Sequence, residues 1–242
     1  MKEMGSCNGL LLLGQPNGSC YKNLAIWNLS TGFFRKIPDP SFEAELIYLI
    51  DEDYLDFIST GFGHVSASDD YKLVFIIPAL GNLLEIHIFS MRANMWKVVT
   101  APYSKWRGWD SEQGTFLNGA IHWVIGCKNV CAFDLAEEGF RQVPLPPVLC
   151  QNGDDDNPTK ITTLVHLGGY LCIWSRKLYC PQQCEVWAMT VYGVPESWVK
   201  LFQFDLELII KYHRNYDLFW IECRKEEKPI CTGRNRLEEV TP

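Results

Sequence analysis

Three pairs of aromatic residues, each set seven positions apart across a turn, constrain this chain more than any other feature. Trp27 pairs with Phe34, Phe89 with Trp96, and Phe133 with Phe140. Each first aromatic ends an alternating apolar run, as in Leu24-Ala25-Ile26-Trp27-Asn28-Leu29, and each second opens another, as in Phe34-Arg35-Lys36-Ile37-Pro38. A constant spacing across a turn is what a hairpin needs to set two side chains opposite each other on one face. A fourth segment, Glu185-Val186-Trp187-Ala188-Met189 followed by Trp198-Val199-Lys200-Leu201, repeats the pattern with its aromatics eleven apart, as a four-residue turn extension would give. Arg35, Lys97 and Arg141 follow the second aromatic, and Lys200 lies one position later. Alternation along a strand directs that basic residue to the other face, towards water.

Each hairpin is preceded by another strand candidate, at 9–13, 71–77, 116–125 and 164–174. The repeating unit is therefore three or four antiparallel strands, recurring at 62, 44 and 54 residues between equivalent aromatics. Propeller blades recur at about 40–50 residues. One such unit has two faces and cannot bury its apolar side alone, whereas stacked units can. The fold expected is all-β: a β-propeller-like array of antiparallel three- to four-stranded units, with a β-sandwich as the fallback. A single domain is expected over 1–242. Little helix is expected; residues 42–55 have some helical spacing but read equally as a strand with an acidic loop.

Charge narrows the partners. The net charge is −7, from 22 Lys and Arg against 29 Asp and Glu, and no basic stripe interrupts it. Such a surface repels phosphate backbones, so no nucleic acid is expected. Acidic spots at 51–56, 137–138 and 154–156 read as solvated loops. The longest apolar stretch, around 73–80, contains Pro78 and is too short to span a bilayer, so no membrane is expected. The apolar run at residues 10–13 is too short for a secretory leader. The ten cysteines are accordingly expected to be reduced, in the cytoplasm or nucleus.

Four stretches resemble the F-box-associated domain of plant F-box/kelch-repeat proteins. Gly61-Phe62-Gly63-His64 with Ser68-Asp69-Asp70-Tyr71-Lys72-Leu73-Val74 is similar to that family's GFGYD and DDYKVV segments. Phe116-Leu117-Asn118-Gly119-Ala120-Ile121-His122-Trp123 resembles its LNGALHW strand. Ala132-Phe133-Asp134-Leu135 through Phe140-Arg141 and Val143-Pro144-Leu145-Pro146 resembles its FDL and VPLP hairpin. Val186-Trp187-Ala188-Met189, Tyr192-Gly193-Val194 and Ser197-Trp198-Val199-Lys200-Leu201 resemble its VWVMKEYGVKESWTKLF segment. The resemblance covers about 5–204 and leaves 205–242 unaligned.

The resemblance implies a non-catalytic, substrate-recognition module of an SCF-type ubiquitin ligase, holding a protein substrate. It also implies a Skp-type adaptor, but only if an F-box lies upstream, since Ser6-Cys7-Asn8-Gly9-Leu10 stands almost at the start. The alternative reading is a free-standing propeller scaffold or a glycan-binding module without a ligase connection.

Residue chemistry points to no enzyme. Cys127/Cys131 and Cys180/Cys184 have three intervening residues, not the two usual in zinc ribbons, so no metal is expected. The histidines at 64, 87, 122, 166 and 213 show no paired spacing, and His122 beside Trp123 reads as a hydrogen-bonded strand residue. Gly61-Phe62-Gly63 lacks the following helix that a phosphate cradle requires, and no cofactor is expected. The candidate protein-binding residues are Tyr103, Trp106, Arg107 and Trp109, on a loop between two units. Trp, Tyr and Arg give large, stiff contact area with a polar handle. The two tryptophans suit equally a wedge between neighbouring units.

Overall fold

A computed structural model describes residues 1–17, 20–40, 58–79, 83–102, 113–126, 129–150, 159–177, 179 and 182–205. Sixteen strands make four sheets of four, each an antiparallel meander in chain order. Sheet 1 holds β1 (Lys2–Cys7), β2 (Leu10–Asn17), β3 (Cys20–Trp27) and β4 (Phe34–Lys36). Sheet 2 holds β5 (Ser59–Val65), β6 (Asp70–Ala79), β7 (Leu83–Ser90) and β8 (Met95–Pro102). Sheet 3 holds β9 (Thr115–Leu117), β10 (Ala120–Ile125), β11 (Asn129–Asp134) and β12 (Gly139–Val143). Sheet 4 holds β13 (Thr159–Leu167), β14 (Tyr170–Lys177), β15 (Gln183–Met189) and β16 (Trp198–Asp205). This is the propeller-like all-β fold expected, with four strands in each unit. The unit boundaries differ in one respect: the strands read at 9–13 and 71–77 are second strands, and β1 and β5 precede them.

Turn chemistry explains the meanders. Asn8-Gly9, Asn118-Gly119 and Gly168-Gly169 all have positive φ and sit between directly paired residues, which is the tight turn that matches strand twist. Asn28 and Asp134 begin the third-to-fourth turns of sheets 1 and 3. Their side-chain oxygens accept two successive backbone N–H groups, from Ser30 and Thr31 and from Ala136 and Glu137.

Three apolar layers lie between consecutive sheets. Met4, Leu12, Leu24 and Ile26 of sheet 1 meet Phe62, Leu73, Phe75 and Phe89 of sheet 2. Val74, Ile76, Ile86 and Ile88 on the other side of sheet 2 meet Ile121, Trp123, Cys131 and Phe133 of sheet 3. Ala120, Val124, Val130 and Ala132 on the far side of sheet 3 meet Leu164, Leu171, Ile173 and Trp198 of sheet 4. The middle strands of the inner sheets, β6, β7, β10 and β11, thus bury both faces, as stacking of repeats requires.

The first strands line up side by side. The Thr60 hydroxyl donates to the Met4 carbonyl at 3.3 Å, and the Gly114 N–H donates to the Thr60 carbonyl at 2.7 Å. The Thr115 hydroxyl donates to the Leu164 carbonyl at 3.0 Å. At this crowded seam the Gly61-Phe62-Gly63 stretch finds its reason. Phe62 points to sheet 1, while a Cβ on Gly61 would lie 2.6 Å from Ile121 Cγ2 and one on Gly63 2.3 Å from Phe116 Cδ2. The glycines let sheet 3 approach.

Candidate functional site

The aromatic pairs are the hinge of the arrangement. Trp27 and Phe34, Phe89 and Trp96, and Phe133 and Phe140 are direct cross-strand partners. The last two pairs have ring centroids 5.2 and 5.0 Å apart. The fourth unit departs from this: Trp198 is opposite Met189, and Trp187 is opposite Lys200. In sheets 2, 3 and 4 the second aromatic lies on the face turned to the preceding sheet. Two of them bond across the gap. The Trp96 indole N–H donates to the Pro38 carbonyl at 2.8 Å, and that of Trp198 to the Pro144 carbonyl at 2.9 Å.

The basic residue beside each second aromatic was expected to face water. It does sit on the opposite face, but it reaches the next sheet. Arg35 donates to Asn94 Oδ1 at 2.8 Å, in the turn after β7. Lys97 pairs with Glu138, in the turn after β11. Arg141 donates to the Tyr192 hydroxyl at 3.0 Å, in the turn after β15. One position in the repeat therefore clamps each sheet to the third-to-fourth turn of the next. In sheet 4 that position is Val199, 43% exposed, and Lys200 instead turns back to Glu185 Oε1 at 2.8 Å.

Two clamps are reinforced. Glu138 accepts from Lys72 Nζ at 2.9 Å as well as from Lys97, and Lys72 also donates to the Leu135 carbonyl at 2.6 Å. Burial alone would raise the Glu138 carboxyl, and the two lysines more than offset it, leaving the group below the ordinary carboxylate range. At the second clamp, His122 lies on β10 with no exposed surface. Its Nδ1 is 3.0 Å from the Thr115 carbonyl, which only accepts, so Nδ1 carries the proton and Nε2 accepts from the Tyr192 hydroxyl at 2.6 Å. The chain of donors runs Arg141 to Tyr192 to His122 to Thr115. Burial pushes His122 down to about 4, the Thr115 bond opposes that, and the Arg141 charge adds to it. His122 is thus the hydrogen-bonded strand residue expected, and a poor general base at neutral pH.

The thiols are equally quiet. Cys7, Cys131, Cys172 and Cys184 are buried and unbonded to one another. Burial lifts the Cys7 thiol to about 11, against a backbone hydrogen bond with His64, and lifts Cys131 further. Among the described residues no group of three His, Cys, Asp or Glu side chains is placed to hold a metal ion.

The predicted binding residues Tyr103, Trp106, Arg107 and Trp109 lie outside the described residues, as do the acidic spots at 51–56 and 154–156. Their flanking strands are described. β8 ends at Pro102, registered with Leu83 and through it with Ala79, so the chain leaves sheet 2 at the end where the β6–β7 connection lies. The opposite end carries the tight turns and the clamps described above. The clamp positions escaped sequence reading because the partner turn lies about 40–65 residues away, and strand alternation shows which face a side chain takes but not what waits there.

A family model for the F-box associated β-propeller domain matches residues 1–240. The chain belongs to the F-box associated β-propeller family. F-box/kelch-repeat protein At3g23880 of Arabidopsis thaliana is 26% identical over 205 residues, covering 82% of this chain and 51% of that protein. F-box protein CPR1 of the same plant is 30% identical over 228 residues, with the same shares. The chain spans about half the length of these relatives. Among solved structures, an engineered GH43 glycoside hydrolase gives a TM-score of 0.45 at 10% identity, covering 81% of this chain and 40% of that one. A likeness at that level carries no argument about activity. Within the F-box associated family the stretches read from the sequence acquire their mechanics: the glycines of Gly61-Phe62-Gly63 admit sheet 3, His122 of the Asn-Gly-Ala-Ile-His-Trp strand receives Tyr192, and Tyr192 receives Arg141.

Proposed function

We propose that this chain is the protein-binding part of an F-box protein, non-catalytic itself and recognising a substrate for an SCF-type ubiquitin ligase in the cytoplasm or nucleus. Membership in the F-box associated β-propeller family carries the reading. The architecture supports it: a stack locked by inter-sheet clamps is a stiff platform, and its long inter-sheet connections leave from one end. Rigid scaffolds that carry variable connecting segments are the usual basis of recognition. Tyr103, Trp106, Arg107 and Trp109 are the residues proposed to contact the partner, because their side chains are the commonest hot-spot anchors. His64, His87 and His122, each held in a hydrogen bond, and the buried thiols of Cys7, Cys131, Cys172 and Cys184 fit a scaffold. No helix among the described residues is long and apolar enough to cross a membrane. The Skp-type adaptor belongs to this proposal only where an F-box is encoded upstream.

The test is capture of the full-length polypeptide from plant cells with the proteasome inhibited. The reading expects a protein that rises on inhibition, carries ubiquitin chains and is recovered in proportion to the bait. Recovery of an adaptor without any such protein, or of neither, overturns it.

A further inference from the structure

Sheet 4 keeps one arrangement of sheet 2 and adds to it. In sheet 2, Glu85 Oε2 lies 3.1 Å from Nε2 of His87, the next residue on the same face of β7. In sheet 4 the matching residues of β15 repeat this, the Trp187 indole N–H donating to Glu185 Oε2 at 3.1 Å. The match is by register, since Phe89 stands opposite Trp96 as Met189 stands opposite Trp198. The neighbours differ. On the second strand, Ile77 of the first apolar layer is opposite Glu85, whereas Ser175 is opposite Glu185. On the fourth strand, Val98 is opposite His87, whereas Lys200 is opposite Trp187. Stacking is served by the shared pair, as sheet 2 shows, and needs neither addition.

Both additions carry a cost. Ser175 has no exposed surface, and its hydroxyl makes no hydrogen bond among the described residues, against the rule that buried polar groups are paired. Lys200 reaches Trp187 through an irregularity in β16. Val186 is opposite Phe202 but Trp187 is opposite Lys200, so Leu201 is the extra residue of a bulge. In a regular ladder Leu201 would face Trp187, and Lys200 would lie on the other side of the sheet. Bulges re-aim side chains in this way and concentrate beside functional sites.

What results is a site for a cation. Glu185 Oε1 accepts from Lys200 Nζ at 2.8 Å, and the same Nζ stands 5.4 Å from the centre of the Trp187 ring. A carboxylate and an aromatic face converging on one position stabilise positive charge by two independent means. Lys200 fills that position loosely: its side chain is 41% exposed and that of Glu185 25%, and ion pairs so open to water contribute little. The Ser175 hydroxyl, beside Glu185 on the same face, is an acceptor that the ammonium does not use.

We infer that this corner of sheet 4 takes an arginine side chain of a partner protein, with Lys200 holding its place until the partner arrives. The inference rests on the protein-binding function proposed above. A guanidinium carries five donors in a planar fork, enough to span the Glu185 carboxylate and engage a further acceptor such as Ser175 while lying on the Trp187 ring; an ammonium holds one point. The net charge of −7 favours a basic partner. Ser175 and Glu185 each stand two residues from the β14–β15 connection, at the end from which the inter-sheet connections leave.

The experiment titrates the full chain with N-acetyl-arginine methylamide and follows the Trp187 indole N–H by NMR, assigned through its loss in Trp187→Phe. A saturable shift is expected, with a Kd on the order of 1–10 mM for so small a ligand. The neutral isostere N-acetyl-citrulline methylamide is expected to leave the signal in place. Lys200→Met is expected to bind arginine about fivefold tighter, since the internal cation no longer competes. Glu185→Gln is expected to bind it about tenfold more weakly or not at all. An equal response to citrulline, no saturable shift in folded Lys200→Met, or no tighter binding there than in wild type overturns the inference. If Glu185→Gln loses the dispersed spectrum of a folded protein, the lysine variant and the citrulline arm decide. Capture separates the site from the function it rests on. A partner recovered equally by wild type and by folded Glu185→Gln overturns the site and leaves the function standing. Recovery of no partner counts against the function alone, and the arginine titration then decides the site.

Discussion

His122 shows how one residue can hold two sheets together and report on it. It is neutral because burial disfavours its charged form, with the Arg141 charge adding to that, and its two ring nitrogens are satisfied, one donating to Thr115 and one accepting from Tyr192. Folding depresses its pKa from 6.5 to about 4. Between those values the unfolded chain holds more proton than the folded one. The contribution is therefore complete above pH 6.5 and is lost as pH falls towards 4, at no more than about 1.4 kcal/mol per pH unit. Asp134 faces Tyr192 as well, and burial with that carboxylate raises the phenol, so the hydroxyl stays protonated throughout. The variant His122→Phe is expected to be less stable than wild type at pH 7.5. The gap should narrow by about 2 kcal/mol or more at pH 4.5, read by urea unfolding at both pH values. Comparison of the two proteins cancels the acid sensitivity of carboxylates such as Glu138.

At the scale of elements, the seam between first strands and the gap between fourth strands behave differently. Gly63 faces Phe116 and Leu135 with no room for a methyl group. Gly63→Ala is expected to cost about 1–3 kcal/mol, measured by thermal or denaturant unfolding, because it overpacks the layer between sheets 2 and 3. Trp198→Phe keeps the ring in its layer and removes only the donor to Pro144, for about 1 kcal/mol by the same measurement. These elements also show what a sequence reveals. The hairpins around Trp27/Phe34, Phe89/Trp96 and Phe133/Phe140 were legible, because spacing and turn residues are local. β5 was not, since a strand buried on both sides loses alternation and its glycines mask it further; β1 was not because Lys2-Glu3-Met4-Gly5-Ser6-Cys7 has few apolar side chains to form a pattern. The register of sheet 4 was misjudged because Gly193, Pro195 and the short 3-10 turn Pro195–Ser197 lengthen the connection and move Trp198 opposite Met189. The clamps were invisible for a different reason: they join segments that only the stack brings together.

The whole molecule is a directional stack. Sheets 2 and 3 each turn their aromatic pair back to the preceding sheet and their clamp forward to the next, so an inner unit specifies both neighbours. Stability in such arrays is close to a sum over units and nearest-neighbour interfaces. Gly63→Ala and Trp198→Phe act on different interfaces and share no partner, so their effects are expected to add within about 0.5 kcal/mol in the double variant. Direction also leaves an exposed front: Trp27 is 37% and Phe34 52% exposed on the outward face of sheet 1, whereas Phe89 and Phe133, the counterparts of Trp27, are buried and Trp96 and Phe140, the counterparts of Phe34, are partly so. Recognition, in this account, belongs to the other feature of the whole, the end from which the inter-sheet connections leave. The direct test is quantitative affinity capture by the full chain and by a Trp106→Ala, Trp109→Ala double variant, with unfolding of both monitored. The account predicts a saturable partner that the wild type recovers and the equally stable variant loses at least tenfold, about 1.4 kcal/mol or more. Equal recovery by the two proteins, with both folded, would contradict it.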